Sequence, residues 1–265
     1  MAEHMAQLNT FRRVSAPAAL DEATLAFLRR REAERCVVFA RWREIQPTPD
    51  VYDERALEEV RSWLMRVQSL GAEPVLCLYR GEDPDWFTAR GGWQKEDNLR
   101  CYLRYVGRVV RAAGHLCAEY ITFYEPNALL FEGEHRLSFP RAVTVLSHMA
   151  CTHIRAVRLV RDTRQQRQLT DTAVGVVMRF YPPSELRMAR LRGRLPVTAA
   201  LYERLPLLAM TRGEFHMPLR NTLRVQPGVW ADFIGVVAPE EPTKAALCCE
   251  RAEALTGIEA RILEG

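Results

Sequence analysis

Short apolar runs rich in valine and isoleucine alternate along this chain with longer segments of helical period, and that alternation limits the fold more than any other feature. Cys36–Ala40, Pro74–Tyr79, Tyr120–Tyr124, Val174–Phe180 and Trp230–Val237 read as strands, the run Ile258–Leu263 adds a sixth, and Phe11–Ser15 carries a fainter signal for a seventh. Helical stripes lie between them. Ala56–Leu70 places Leu57, Val60, Trp63, Leu64 and Val67 on one face, and Asn98–Ala113 does the same with Leu99, Tyr102, Leu103, Val106, Val109 and Val110. Gly71 and Gly114 follow these two helices and read as C-terminal caps. Pro140–Val160 and Thr243–Leu255 are the later helices, with a further helical region reaching Leu207.

Near-continuously apolar strands separated by helices belong to a parallel sheet, either a (β/α) barrel or a doubly wound sheet. No GxGxxG or GxxxxGKS sequence follows any strand, so the phosphate-binding loop of a nucleotide fold is missing. The strand ends instead carry Arg41-Trp42, Tyr79-Arg80, Tyr124-Glu125 and Arg179, polar and aromatic groups suited to the mouth of a barrel. With 265 residues and 48% hydrophobic content the chain supports one domain over residues 1–265, and no linker, repeat or low-complexity segment divides it.

Composition excludes several function classes. A net charge of +4 spread over 37 basic and 33 acidic residues indicates no nucleic-acid partner, and the arginine-rich stretches read as solvated helix faces. No apolar run reaches the roughly 18 residues of a membrane span, and Met1–Leu20 lacks a signal-peptide core. The seven cysteines form no CxxC pair and no metal-ligand spacing, so neither a metal nor another cofactor is expected. Reduced, buried thiols in a cytoplasmic protein are the expectation.

At the third of the clear strands the sequence reads Ile121-Thr122-Phe123-Tyr124-Glu125-Pro126-Asn127. Upstream lie Trp42-Arg43-Glu44-Ile45-Gln46-Pro47, Tyr52-Asp53-Glu54, Gly71-Ala72-Glu73-Pro74, Asp83-Pro84-Asp85-Trp86-Phe87 and Gly91-Gly92-Trp93. Downstream come Ala209-Met210-Thr211-Arg212-Gly213 and Asp232-Phe233-Ile234-Gly235-Val236. In order and spacing this set resembles glycoside hydrolase family 1, the β-glucosidase-like enzymes, over roughly residues 20–238. The resemblance implies an α/β fold of the eight-stranded (β/α) TIM-barrel type, here incomplete, with the eighth strand absent and the first strand faint.

Retaining glycoside hydrolysis uses two carboxylates about 5–5.5 Å apart, a proton donor and a nucleophile. The resemblance implies that Glu125 is the acid/base and that Glu264, in Ile262-Leu263-Glu264-Gly265, stands nearest to the nucleophile position. It places Arg80, Tyr124 and Asn127 at the substrate site. The family's arginine beside the nucleophile aligns with Val37, its sugar-binding histidine with Arg80, the asparagine before the acid/base with Tyr124, and the tyrosine after the sixth strand with Pro239. Interactions that act together in the transition state fail together. Ordinary β-glucoside turnover is therefore expected to be impaired or lost in a protein otherwise like those of carbohydrate metabolism.

Two further readings stand beside this one: an active O-glycosyl hydrolase whose Arg80 favours an anionic sugar, and a non-catalytic barrel that binds a carbohydrate or a partner chain. An incomplete barrel leaves unpaired strand edges. The expectation is that a homo-oligomer, an exchanged strand or an N-terminal segment covers them.

Overall fold

The computed structural model describes residues 12–15, 26, 34–133, 136–191, 198, 200–215, 226–237 and 241–264, with the side chains of 12–15, 189, 190 and 264 excepted. Strands β1 (Arg12–Ser15), β2 (Arg35–Phe39), β3 (Glu73–Cys77), β4 (Glu119–Tyr124), β5 (Ala173–Arg179), β6 (Phe233–Val237) and β7 (Ala260–Glu264) are all parallel and follow one another in chain order around a closed barrel. The helices are α1 (Trp42–Ile45), α2 (Glu54–Ser69), α3 (Asp85–Ala89), α4 (Leu99–Ala113), α5 (Pro126–Phe131), α6 (Phe139–Gln165), α7 (Pro183–Leu191), α8 (Leu205–Thr211) and α9 (Pro242–Thr256). α8 is preceded by one π-helical turn, Ala200–Arg204.

The fainter strand is real, and it corrects the expectation of an open edge. β1 pairs with β7 through Arg12↔Arg261 to Ser15↔Glu264 and meets β2 at Ser15↔Cys36, so among the described residues the ring closes within one chain. The reason for postulating a homo-oligomer over an open edge falls away with that edge.

Closing a sheet with fewer strands narrows its lumen, and the interior side chains are correspondingly lean. Val37, Val75, Cys77, Ile121, Tyr124, Val177, Phe233 and Leu263 form the packed core inside the barrel. A Cβ at Gly235 would lie 2.5 Å from Leu263 and 2.6 Å from Val177, and one at Gly175 would lie 2.6 Å from the Phe233 carbonyl oxygen. Both glycines are therefore dictated by close approach. At the N-terminal end of the barrel Arg35 and Arg261 converge on Glu119, at 3.2 and 2.6 Å, and Arg35 also reaches Glu73 at 2.8 Å.

Outside the strands, one aromatic cluster joins the barrel wall to α4. The buried Trp42 ring stacks on Tyr105 at 5.4 Å and packs against Phe87, Trp86, Trp93 and Tyr102. Tyr105 donates its hydroxyl to the carbonyls of Ala40 and Leu78, and Tyr102 to that of Thr122, so α4 satisfies backbone groups at the ends of β2, β3 and β4. Asp53 caps α2 by accepting from the amides of Arg55 and Ala56. Gly71 (φ 82°) and Gly257 (φ 66°) end their helices in the left-handed conformation. Gly114 does not: its φ is −66°, and a glycine stands there because a Cβ would lie 2.9 Å from the Tyr120 hydroxyl.

All seven cysteines are unpaired and buried, as expected, and burial pushes the thiols of Cys36 and Cys77 up to about 12. No described helix is long and apolar enough to cross a membrane.

Candidate functional site at the barrel mouth

In a parallel barrel every strand delivers its C-terminal residue to one mouth. Residues 80, 124, 125, 179 and 264 all come from these ends. β4 reaches the mouth through a register irregularity between Ile121 and Tyr124. Strict alternation would send Phe123 inward. Instead Phe123 joins the outer aromatic cluster, stacked on Tyr102 at 5.2 Å, and Tyr124 turns into the lumen.

Glu125 follows in the left-handed region, φ 51° and ψ 48°, a conformation that costs a non-glycine residue about 1 kcal/mol. Its amide donates to the Val177 carbonyl at 2.8 Å, and its own carbonyl accepts from Leu129 in α5 at 3.1 Å. The turn thus over-determines where the carboxylate points. It points at Arg179, the last residue of β5. Arg179 Nε donates to Glu125 Oε1 at 2.7 Å and Nη2 to Oε2 at 2.9 Å, a two-pronged ion pair with the glutamate side chain 13% exposed.

The third guanidinium nitrogen, Nη1, donates to Glu132 at 3.1 Å. Glu132 also accepts from the hydroxyls of Tyr181 and Tyr202. Burial and the Glu132 carboxylate together push the Tyr202 phenol far up. Burial alone would lower the Arg179 pKa, but the hydrogen bonds and charge of Glu125, with Glu132, more than offset it and hold the guanidinium above its ordinary value. The π-helical turn turns two consecutive side chains inward. Tyr202 grips Glu132, while Glu203 accepts from the Tyr181 amide at 3.0 Å and from Arg251 at 2.8 Å.

Asn127 is fully buried, and its side-chain amide is occupied by the backbone of Arg179: Nδ2 donates to the carbonyl at 2.7 Å and Oδ1 accepts from the amide at 3.1 Å. It positions β5 against α5, an arrangement that leaves no surface for a substrate contact. Tyr124 is buried and packs edge-on against Phe39 at 5.4 Å, and the exposed Arg80 guanidinium lies over Phe39 at 4.6 Å and Tyr124 at 5.7 Å. These three side chains occupy one flank of the mouth. Beside them a small hollow is lined by Phe39, Arg41, Trp42, Tyr79, Arg80 and Glu82. Below it Tyr79 and Trp93 both donate to Asp83, whose carboxyl burial raises to about 6.

Glu264 ends β7, opposite Ser15, but its side chain lies outside what the structure describes, as does Pro239. Val37, which the sequence resemblance aligns with the family's arginine, is fully buried inside the lumen. Among the described residues no group of three histidine, cysteine or acidic side chains is arranged to hold a metal. Sequence reading noted Arg179 only as a polar strand end, and it missed Glu132, Tyr181 and Tyr202 altogether. Their convergence depends on the turn after β4 and on the π-helical turn, neither of which leaves a periodic signal.

No family model matches the chain. The β-glycosidase of Pyrococcus horikoshii superposes with a TM-score of 0.68 at 17% identity, covering 91% of this chain and 64% of its own. The β-glucosidase of Thermotoga maritima in complex with castanospermine gives 0.65 at 16% identity, covering 82% of this chain and 52% of its own. Among curated sequences, the chloroplastic β-glucosidase-like SFR2 of rice is 28% identical over 97 residues, 36% of this chain and 15% of that protein. The chain thus spans between half and two thirds of the length of the structures it matches. In fold the chain resembles a shortened, divergent version of the (β/α) barrel of these β-glycosidases.

Proposed function

We propose that this is a glycoside-hydrolase-like barrel whose ordinary β-glycosidase turnover is impaired or lost, and whose mouth keeps a carbohydrate or glycoside as its ligand. The observation that carries the first part is the fork of Arg179 on Glu125. A general acid must carry a proton to the leaving oxygen. Arginine offers only donors. With both carboxylate oxygens accepting from it, the Glu125 carboxylate is turned to Arg179 and held there rather than presented to a leaving group. The replacement of family positions by Val37, Arg80 and Tyr124 acts in the same direction, because a hydrophobic lumen residue and a stacked Arg–Tyr pair supply no sugar-orienting hydrogen bonds of the original kind. The carbohydrate ligand rests on kinship of fold with proteins such as the castanospermine complex. Reduced, buried thiols favour the cytoplasm as the compartment.

The test is nitrophenol release from a panel of neutral and anionic aryl β-glycosides, with Glu125→Gln as the control. No turnover above that of Glu125→Gln is expected. Turnover that Glu125→Gln abolishes would overturn the reading, and if confined to anionic glycosides it would establish the active alternative, with Arg80 as the residue contacting the charge.

A further inference from the structure

Helix α4 carries Arg100, Arg104, Arg108 and Arg111 and no acidic residue in its fifteen positions. At 100° per residue these four fall within about 80° of arc, and at 1.5 Å per residue they run along about 16 Å of one face. The opposite face is the one that packs on the barrel: Leu99, Tyr102, Tyr105, Val106, Val109, Val110 and Ala113 are buried, while Arg100, Arg104 and Arg111 are exposed. Among the described residues the ridge receives one ion pair, from Glu54 of α2 to Arg108. Arg104 reaches only the Cys101 sulfur, at 3.7 Å, and Arg111 folds back along its own helix over Gly107. The charges of Arg104, Arg108 and Arg111 all bear on the Tyr52 side chain at the foot of α2, so they act on a common volume.

A face of this kind on a chain of nearly balanced charge is a local excess rather than a consequence of composition. We propose that the α4 ridge is an interaction surface for an acidic helix of a partner protein. The rise between Arg100, Arg104 and Arg108 is about 6 Å per step, the same as between carboxylates at i, i+4 and i+8 of a second helix. Guanidiniums match carboxylates through paired N–H donors. Single-stranded nucleic acid fits less well. Such strands need a concave basic track with aromatic faces for the bases, whereas this ridge is the outer face of a helix whose own tyrosines, Tyr102 and Tyr105, are buried, and Tyr52 beside it is half buried.

The probe is an alanine-based helical peptide with glutamate at i, i+4, i+8 and i+11, titrated by fluorescence anisotropy against the full chain at low salt. A glutamine version and a single-stranded oligonucleotide serve as second and third probes. Binding of the glutamate peptide is expected to weaken at least tenfold in the double variant Arg104→Glu/Arg111→Glu, and as salt is raised to about 0.3 M. Both positions are exposed, so the variant should retain the wild-type Tm. The peptide should still bind a variant reversed at Arg55, an exposed arginine of α2. Equal binding of the glutamine peptide, or unchanged binding by the double variant, overturns the proposal. So does tighter binding of the oligonucleotide, or self-association of the chain that the double variant abolishes. None of these outcomes bears on glycoside turnover.

Discussion

Replacing Glu125 with glutamine separates a carboxylate held for structure from one held ready for chemistry. In the folded protein both Glu125 oxygens accept from Arg179, the glutamate side chain being 13% and the arginine 34% exposed. Breaking a fully buried pair costs about 3–5 kcal/mol, whereas an exposed pair contributes at most about 1. Arg179 is one third exposed and keeps Glu132 at 3.1 Å, so the loss lies between these limits. We expect about 2 kcal/mol, or a fall of roughly 4–8 °C in Tm for a chain of this size. Arg179→Gln, and the double variant with it, complete a cycle in which the coupling should be at least about 1 kcal/mol. A functional carboxylate kept in a strained, unsatisfied position behaves oppositely, because its removal usually stabilises. Calorimetry therefore decides: an unchanged or raised Tm for Glu125→Gln, with coupling near zero, would refute the assignment of Glu125 to the ion pair.

Two other perturbations test the electrostatics. Buried His153, bridged between Thr122 and the Trp230 carbonyl, has its pKa lowered to about 4 by burial, so its contribution is complete above about 6.5 and lost as pH falls toward 4. Asp83 acts in the opposite sense. Its folded pKa is raised to about 6, so its contribution is full at low pH and lost as pH rises through 6. Each amounts to about 3 kcal/mol at most, and they largely cancel between pH 7 and 4. Urea unfolding of Asp83→Asn should therefore show a steeper acid loss than the wild type, and equal slopes would refute the compensation. At the other end of the barrel, Glu119→Gln leaves the largely buried Arg35 and Arg261 without the carboxylate they share, and should cost about 3 kcal/mol in the same assay; a loss under about 1 would show that Glu73 and Glu259 take over.

The periodic part of this molecule was legible in its sequence. All the strands named from apolar runs are present, Phe11–Ser15 included, with ends shifted by at most three residues, because strands buried on both faces leave a continuous signal. The misread features are those where tertiary contact overrides local pattern. β1 is short, and its pairing with β7 on one side and β2 on the other gives it meaning. Gly114 sits where a cap is expected, yet it is there to admit the Tyr120 hydroxyl. The irregularity in β4 exchanges the faces of Phe123 and Tyr124, and a period-two reading is blind to it. The partner of Glu125 lies 54 residues away at the end of another strand. No spacing rule connects the two.

That distinction explains how a sequence can resemble a family in many motifs while its mouth differs. Trp42, Trp86, Phe87 and Trp93, which carry much of the upstream resemblance, are members of one aromatic cluster between the barrel wall and α4. Gln46 of the same segment accepts from the Trp42 indole through its side chain and from the Trp86 indole through its carbonyl. Asp232 holds the Val174 amide and Arg161, and Gly235 leaves room for Leu263. Each of these residues is required by packing. A substitution among them creates a cavity, a clash or an unpaired buried donor. At the mouth the constraint is weaker, because polar strand ends can be re-paired with one another, as Glu125, Arg179 and Glu132 are. Motifs anchored in the core therefore persist with the fold whether or not the chemistry does. Glu125, the residue to which the sequence resemblance gives the acid/base position, stands in an ion pair with Arg179 that is by itself a structural reason for a carboxylate there.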